Sequence, residues 1–396
     1  MKKFKFFLFT IFLIFLSNFQ IFAARTGFSN LPNIVSVDLP EGFYTVQVGS
    51  EQKSFLLESE ILPVNAIIQI YEAKRFNSSL DAVNYVMTNF KLDFESESFN
   101  WFSKNSAISY FTGNLNGINS QGLCVATIIP ENSNIILMLA WSAQENFANS
   151  YNYIASFFDG LYVDMNSYFS KGILTSYLDS EEMEDVSNKS KKSAQKIDVN
   201  LNIDSHQIKT QIFAEDSKFA QEFIEREYAV LCLYANHSGW QEAWQRYYRL
   251  IFRDSCSRLK KASFDIYNGL APFCIDETDL AQKLLNWVQN FKYEREKTNS
   301  DFSNLPSILL GNGSDCDSRS LLLAVLLNAM NMDSCIFVSN EFSHALAGFV
   351  STHPGFNFEV NEKKYLIGET TAKNLNWGNI EQRMAEQPKW IPVLLP

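Results

Sequence analysis

The chain has 396 residues, a formal net charge of −11 and a pI of about 5.0. An acidic chain of this kind is a poor partner for nucleic acids and for anionic membrane surfaces, so we expect it to bind neither. Beyond an N-terminal leader, roughly 370 residues remain, which is enough for two or three hydrophobic cores.

Residues 1–24 have the layout of a secretory signal peptide. Lysines near the N-terminus precede an apolar run over 6–22, and Ala23 and Ala24 supply the small residues that cleavage requires. Polar residues interrupt the run, which makes it a poor membrane span. We therefore predict export to the periplasm, the cell envelope or the extracellular space, with membrane contact only if the segment stays uncleaved.

Residues 25–177 are predicted to form an α+β domain of short alternating strands and two amphipathic helices. Examples of the predicted strands are Phe43–Val48, Ile67–Ala73, Ala107–Thr112, Leu123–Ile129 and Ile135–Trp141. One helix is predicted near Leu80–Phe90, with Ser79 as its cap, and the other at Phe147–Phe158. This order predicts a sandwich of sheet and helices. Together with the opening LPEGFYTVQV, it is loosely similar to PsbP/Mog1-like domains.

Residues 178–200 are highly charged, with acids first, lysines after them and almost no large apolar side chains. This composition is typical of a solvated linker. We place the domain boundary in this segment.

Residues 201–396 are predicted to form a second α+β domain, in which helices precede an antiparallel sheet. Apolar residues recur at helical spacing in Phe219–Tyr234, in Trp240–Ile251 and in Leu280–Phe291, where Thr278 is the predicted cap. After a further helix at Cys316, the predicted strands are Ser334–Ser339, His344–Val350, Phe356–Val360 and Tyr365–Glu369.

Cys316 follows a turn-forming GNGSD run and opens an apolar helix, with Ser314 or Asp315 as its cap. A helix N-terminus lowers the pKa of a thiol, and the backbone amides of Cys316 and Asp317 can hold an oxyanion. The carboxylates of Asp315 and Asp317 oppose thiolate formation unless they cap the helix or point away. An imidazolium would then have to supply most of the stabilisation of the Cys316 thiolate.

His344 begins the alternating strand HALAGFV, where it shares one side with Leu346 and Gly348 and can project toward the Cys316 helix. Glu369 ends the predicted strand KYLIGE and can accept a hydrogen bond from the imidazole, which fixes the tautomer. Cys316, His344 and Glu369 are the parts of a cysteine-nucleophile triad.

The order and spacing of these motifs resemble the transglutaminase-like (transglutaminase/protease) superfamily over residues 280–378. Members have an aromatic-rich helix, a proline with small residues, a GDC-like motif opening an apolar helix, an HA strand, and a strand ending in an acid before threonine. The first three correspond to Trp287–Tyr293, Leu305–Pro306 and Ser314–Cys316. This chain departs from the pattern at Ser314, where glycine is common, and at Glu369, where aspartate is usual.

The resemblance implies a papain-like α+β domain and an exported bacterial cysteine enzyme with Cys316, His344 and Glu369 as catalytic residues. Its substrate would be a protein or peptide, attacked at an amide bond through a thioester acyl-enzyme, with hydrolysis favoured over cross-linking. The alternative is a non-catalytic envelope binding or scaffold protein with a degenerate domain. No phosphate-binding loop, dinucleotide fingerprint or metal motif is present, so we expect no cofactor and no metal. The oligomeric state is not predicted.

Other residues in the chain favour structural roles. Cys232, Cys256 and Cys335 are predicted to be buried thiols, and a Cys256–Cys274 disulfide stays open. In the aromatic–arginine cluster Trp244–Arg253, packing and an ion pair from Arg253 to an acid are favoured over a carboxylate-binding surface.

Residues near the triad motif also have alternative interpretations. Trp287 and Gln289 are weaker candidates for a cleft border. His353 is predicted in an exposed loop, and His206 and His237 lie outside the motif.

Overall fold

The computed structural model describes residues 26–28, 31–187, 195–295 and 299–396. The predicted signal peptide lies outside these residues. Over the described ranges, no helix combines the length and the apolar character that a membrane crossing requires.

The N-terminal half is built on an antiparallel sheet with helices on both faces. Its strands are β1 (Thr26–Gly27), β2 (Ser36–Val37), β3 (Phe43–Val48), β4 (Ser54–Ser59), β5 (Val64–Tyr71), β6 (Asp93–Trp101), β7 (Lys104–Leu115), β8 (Ile118–Ile128), β9 (Ile135–Ala143) and β10 (Leu161–Tyr162). Its helices are α1 (Ser79–Asn89), α2 (Phe147–Asp159) and α3 (Ile173–Ser187). Seven strands pair in the order β3-β4-β5-β9-β8-β7-β6, and β1-β2-β10 form a small second sheet.

The central strand β9 is buried on both faces, because α1 packs on one side of the large sheet and α2 on the other. Burial on both faces explains why β9 has a continuous apolar sequence instead of an alternating one. The cap of α1 is Ser78, whose side chain accepts the Asp81 N–H at 3.1 Å. Ser79, the predicted cap, is buried and donates its hydroxyl to the Asn105 carbonyl at 2.8 Å.

The charged segment 178–200 contains regular structure where it is described. Helix α3 continues to Ser187, and strand β11 already begins at Lys196. Glutamates are good helix formers, so a charged composition does not distinguish a solvated helix end from a linker. The residues between, 188–194, lie outside the described residues.

The C-terminal half begins with a hairpin, continues with helices and ends in a curled antiparallel sheet. Its elements are β11 (Lys196–Ile203), β12 (His206–Phe213), α4 (Asp216–Cys232), α5 (Trp240–Arg258), α6 (Lys260–Leu270), α7 (Glu277–Gln289), α8 (Leu305–Leu309), α9 (Cys316–Ala329), β13 (Ser334–Ser339), β14 (His344–Val350), β15 (Asn357–Val360), β16 (Lys363–Gly368) and β17 (Ile391–Leu394). The sheet has the strand order β15-β16-β14-β13-β17. The predicted α+β class, with sheet and helices followed by helices and a sheet, is confirmed.

Helix α9 forms the centre of the C-terminal core, since every side chain from Leu321 to Leu327 is buried. Asp315 caps it by accepting the Ser318 N–H at 2.9 Å, and the Ser318 hydroxyl accepts the Asp315 N–H at 3.0 Å. This reciprocal capping box resolves the choice between Ser314 and Asp315. In α7 the cap is Asp276 rather than Thr278, because the Asp276 side chain accepts the N–H of the residue three positions later.

Two arginines of α5, one buried and one partly buried, join the two halves. Both oxygens of the Asp38 carboxylate accept hydrogen bonds from Arg249, each at 2.8 Å. Arg246 donates to the Asp38 carbonyl at 2.9 Å and to the Ser156 hydroxyl at 2.6 Å. Planar bidentate pairs of this kind fix orientation as well as distance, so the halves are held in one arrangement.

The guanidinium of Arg253, for which an ion pair to an acid is predicted, donates to backbone carbonyls of the N-terminal half. It bonds the Ser170 oxygen at 2.7 Å and the Leu161 oxygen at 2.8 Å. The same group lies 4.4 Å from the centre of the Tyr162 ring. The cluster on α5 therefore packs the two halves together, and its Arg249 forms an internal ion pair with Asp38.

All six cysteines are free thiols, so Cys256 and Cys274 form no disulfide. Cys335 is buried, as predicted, and Cys256 is partly buried. The prediction for Cys232 is wrong, because this residue is exposed where α4 ends.

Candidate active site

Cys316 is the first residue of α9, where the Asp315 cap and the preceding loop hold it. That loop pairs with the segment after α7, since Ser314 donates its N–H to the Lys292 carbonyl at 3.0 Å and accepts the Glu294 N–H at 3.0 Å. The N–H groups of Cys316 and Asp317 have no acceptor within the described part of the chain. They are the free amides expected at a helix N-terminus and could receive an oxyanion.

His344 and Glu369 form a direct hydrogen bond. His344 begins β14, and Glu369 follows the last residue of the neighbouring strand β16. The imidazole Nε2 lies 2.8 Å from Glu369 Oε2. Only 12% of the His344 side chain and 7% of the Glu369 side chain is exposed, so the pair is shielded from water. Because Nε2 is engaged, Nδ1 is the ring nitrogen left to exchange a proton with another group.

The other carboxylate oxygen of Glu369 is held by Thr371. Oε1 accepts the Thr371 N–H at 2.7 Å and its hydroxyl at 2.6 Å. Burial alone would raise the pKa of Glu369, but the hydrogen bonds from His344 and Thr371 outweigh burial and lower the pKa below its ordinary value. Glu369 is therefore ionised at neutral pH and keeps the proton of the shared hydrogen bond on the imidazole.

Gln289 supports the backbone of Glu369. Its side-chain amide donates to the Glu369 carbonyl at 2.8 Å and to the Leu375 carbonyl at 3.0 Å. Gln289 is only 1% exposed, so it lies beneath the site instead of bordering a cleft. Trp287 is half-buried and packs edge-on against Phe291 at 4.8 Å.

Arg319 connects the cysteine loop to the other segments of the site. It is 1% exposed and donates to the Ser314 hydroxyl at 2.9 Å, the Phe291 carbonyl at 2.7 Å and the Thr370 carbonyl at 3.3 Å. One guanidinium thus joins the loop before Cys316, the end of α7 and the residue after Glu369. Nothing in the sequence around Arg319 distinguishes it from a solvated arginine on a helix, so its role in the site is not predictable from local pattern.

The Cys316 sulfur lies among polar groups from three elements. It donates to Asp317 Oδ1 at 3.5 Å, and Asp317 Oδ2 accepts the Tyr248 hydroxyl at 2.9 Å. The Ala345 backbone N–H also reaches the sulfur. Ala345 follows His344 in β14, and Asp317 lies in the electrostatic field of His344. The structure therefore places the Cys316 sulfur against β14, the strand that His344 begins, and Asp317 is close enough to His344 to be affected by its charge.

The electrostatics of Cys316 differ from the expectation of a lowered pKa. The residue is only 3% exposed, and burial followed by the charges of Asp317 and Asp315 raises the pKa of its thiol well above the ordinary value. The Ala345 amide acts in the opposite direction but does not compensate. Burial and the Asp317 charge also raise the pKa of Asp315 to about 6. The resting thiol is therefore protonated at neutral pH.

The remaining histidines lie away from this site. His353 is in an exposed loop, and its Nδ1 lies 3.1 Å from the Pro354 carbonyl oxygen. His206 begins β12 and contacts a phenylalanine ring, and His237 Nε2 lies 3.2 Å from the Glu60 carboxylate. Among the described residues, no three His, Cys, Asp or Glu side chains are grouped to hold a metal ion.

Comparison with known proteins gives weak structural similarity. No protein-family model matches the sequence, and no curated protein matches it. The similar solved structures include cyanobacterial PsbP from Synechocystis, with 12% identity and a TM-score of 0.30, covering 38% of this chain and 99% of that one. A protein of unknown function from Pseudomonas aeruginosa, described as a putative regulator, has 8% identity and a TM-score of 0.21, covering 29% and 82%. A protein from Bacteroides thetaiotaomicron has 13% identity and a TM-score of 0.24, covering 56% and 74%.

Proposed function

We propose that this protein is an exported transglutaminase-like cysteine enzyme that cleaves amide bonds in a protein or peptide substrate. The observation that carries the proposal is the 2.8 Å hydrogen bond between His344 Nε2 and Glu369 Oε2 beside a cysteine at a helix N-terminus. Export is proposed from the leader sequence of residues 1–24. The papain-like assignment of residues 201–396 rests on the same sequence motifs.

In the proposed acylation step, Cys316 gives its proton to His344 Nδ1 and the sulfur attacks the substrate carbonyl carbon. The N–H groups of Cys316 and Asp317 bind the oxyanion that forms. The C–N bond then breaks, and the imidazolium returns its proton to the leaving amine. The ionised Glu369 stabilises the imidazolium during this step, because it accepts a hydrogen bond from Nε2.

In the proposed deacylation step, the acceptor attacks the thioester while His344 removes its proton, and the Cys316 sulfur leaves with a proton. Water as acceptor gives hydrolysis, whereas a lysine amine gives cross-linking. We favour hydrolysis because the sequence resembles the bacterial members of the superfamily.

The second candidate is a non-catalytic binding or scaffold protein of the cell envelope. The burial of Cys316, 3% exposed, and the raised pKa of its thiol favour this candidate. The Glu369 side chain, longer than the usual aspartate by one methylene, is compatible with either candidate.

Peptide-library profiling of the purified protein tests the proposal. We expect cleavage of a subset of peptides by the wild type and none by Cys316→Ala. Cys232→Ala is the matched control, because Cys232 is an exposed thiol outside the site, and this variant should keep full activity.

Adding a lysine-like amine distinguishes hydrolysis from acyl transfer, because transfer to the amine gives an amide product whereas hydrolysis by water gives an acid. If neither cleavage nor transfer occurs with folded wild-type protein, the scaffold candidate replaces the enzymatic one. Equal cleavage by Cys316→Ala would exclude Cys316 as the nucleophile.

A further inference from the structure

Asp317 makes two side-chain hydrogen bonds that a triad does not require. Oδ1 accepts from the Cys316 sulfur at 3.5 Å, and Oδ2 accepts from the Tyr248 hydroxyl at 2.9 Å. Tyr248 comes from α5, is 1% exposed and directs its only polar side-chain atom to this carboxylate. The carboxylate is thus held in place against the sulfur by a residue from a different part of the core.

We propose that Asp317 is a positioning residue that keeps Cys316 as a protonated, unreactive thiol in the resting site. This inference rests on the proposed function, in which Cys316 is the nucleophile. Burial raises the pKa of Asp317, and the hydrogen bonds from Tyr248 and Cys316 act in the opposite direction because they favour the ionised form. In that form the carboxylate opposes a second negative charge on the sulfur, and as acceptor of the S–H proton it competes with His344 Nδ1. The sulfur becomes nucleophilic only when it turns from Asp317 toward the imidazole.

Several titratable or charged groups face Cys316 and Asp317 from the surrounding elements. They are the cap Asp315, Arg319 on α9, His344 on β14, Tyr247 and Tyr248 on α5, Tyr293 and Arg295 after α7, and Asp301 before α8. Asp317 itself is the carboxylate that bonds the Cys316 sulfur directly. Its effect should therefore exceed that of the more distant Asp301, which is about half exposed and bonds Arg295 at 2.8 Å.

The pH profile of alkylation at Cys316 tests this role without any substrate. The purified protein reacts with iodoacetamide between pH 5 and 10, and mass spectrometry follows the Cys316 peptide, which separates it from the other five cysteines. For Asp317→Asn, which keeps shape and removes charge, we expect the midpoint to fall by roughly one unit or more and the rate at pH 7 to rise about tenfold. Asp301→Asn is the matched control and should leave the midpoint within about 0.3 units, since its charge is screened by solvent.

Three further variants keep the test decisive. Asp317→Glu restores the carboxylate and should return the profile toward that of the wild type. Asp317→Ser gives a second charge removal if the asparagine variant does not fold, and we expect the same downward shift. In the Asp317→Asn background, His344→Ala should abolish the gain, because the thiolate then lacks its imidazolium partner.

Coincident profiles for the wild type and the folded Asp317→Asn or Asp317→Ser variant would overturn the inference, as would an equal shift in Asp301→Asn. The result is independent of turnover. A shifted profile without peptide cleavage would support the role of Asp317 and count against the proposed function. Peptide cleavage together with an unshifted alkylation profile would support the proposed function and count against the role of Asp317.

Discussion

His344 Nε2 and Glu369 Oε2 are 2.8 Å apart, and the other oxygen of the same carboxylate is occupied by two donors from Thr371. The carboxylate therefore cannot rotate without losing bonds at both oxygens. It presents a fixed acceptor to the imidazole, which keeps the Nε2 proton in place and leaves Nδ1 unprotonated for the cysteine.

Glu369→Gln should abolish most of the activity while preserving the fold. Thr371 donates twice to Oε1, so the glutamine carbonyl will occupy that position and its NH₂ will face His344. Nε2 must then accept, which places the ring proton on Nδ1, where the base is needed. We expect kcat to fall by roughly three to four orders of magnitude. Steady-state kinetics on a cleaved peptide measure this, with Glu359→Gln on the exposed part of β15 as control; unchanged kcat would exclude the tautomer argument.

Thr371→Val should move the acid limb of the kcat/KM profile to higher pH. The substitution removes the hydroxyl donor but keeps the backbone N–H, so the lowered pKa of Glu369 rises partway toward its ordinary value. Activity at neutral pH should fall about tenfold or less, the effect of one hydrogen bond to a charged group. Thr352→Val, at an exposed position, provides the control. An acid limb that stays in place, or moves to lower pH, would contradict the role given to Thr371.

Much of the fold follows from local patterns. The sequence predicts helix α2 and strands β13 and β14 within a few residues, because α2 has apolar residues at helical spacing and the two strands are short apolar segments of a buried sheet. Strand β6 was missed, since its sequence DFESESFNW lies at the edge of the sheet and carries acids on exposed positions. Periodicity detects burial, and an edge strand with little burial has a weak signal.

The sequence indicates the candidate residues of the site but not their electrostatics. Helix position, strand alternation and order along the chain identified Cys316, His344 and Glu369. The raised pKa of the thiol depends on the depth of burial and on Tyr248 orienting Asp317 from 69 residues away. Arg319 likewise acquires its role from Thr370, 51 residues away, so no local pattern reports it.

Gln289→Leu should destabilise the protein and loosen the site. The leucine fills a similar volume but leaves the carbonyls of Glu369 and Leu375 without this donor. The Leu375 carbonyl keeps a 3.5 Å hydrogen bond from Gln282, so the main cost is the lost bond to the Glu369 carbonyl. A buried carbonyl without its donor costs about 1–3 kcal/mol, and we expect a loss of that order in the free energy of unfolding. Urea denaturation measures it, and Gln207→Leu, at an exposed position of β12, should stay within about 0.5 kcal/mol of the wild type. Equal stability of both variants would show that the amide is dispensable.

Glu41 should make the stability of the protein depend on pH at the junction of its two halves. Burial raises the pKa of Glu41 to about 7, with the charge of Arg246 opposing, and Oε1 has no hydrogen-bond partner in the described structure. The folded state thus binds this proton more tightly than the unfolded chain does. The contribution is fully present below about pH 4.5 and is lost as pH rises toward 7.

The shift from 4.5 to about 7 corresponds to a change on the order of 3 kcal/mol in the free energy of unfolding. Glu41→Gln has no proton to lose, so its stability should vary less across this window and exceed that of the wild type at pH 7.5. Urea denaturation at half-unit steps from pH 4 to 8 measures both curves. Glu145→Gln, at an exposed position, should follow the wild type. Parallel curves for Glu41→Gln and the wild type would mean that Glu41 gains water or a cation on ionisation and is not penalised by burial.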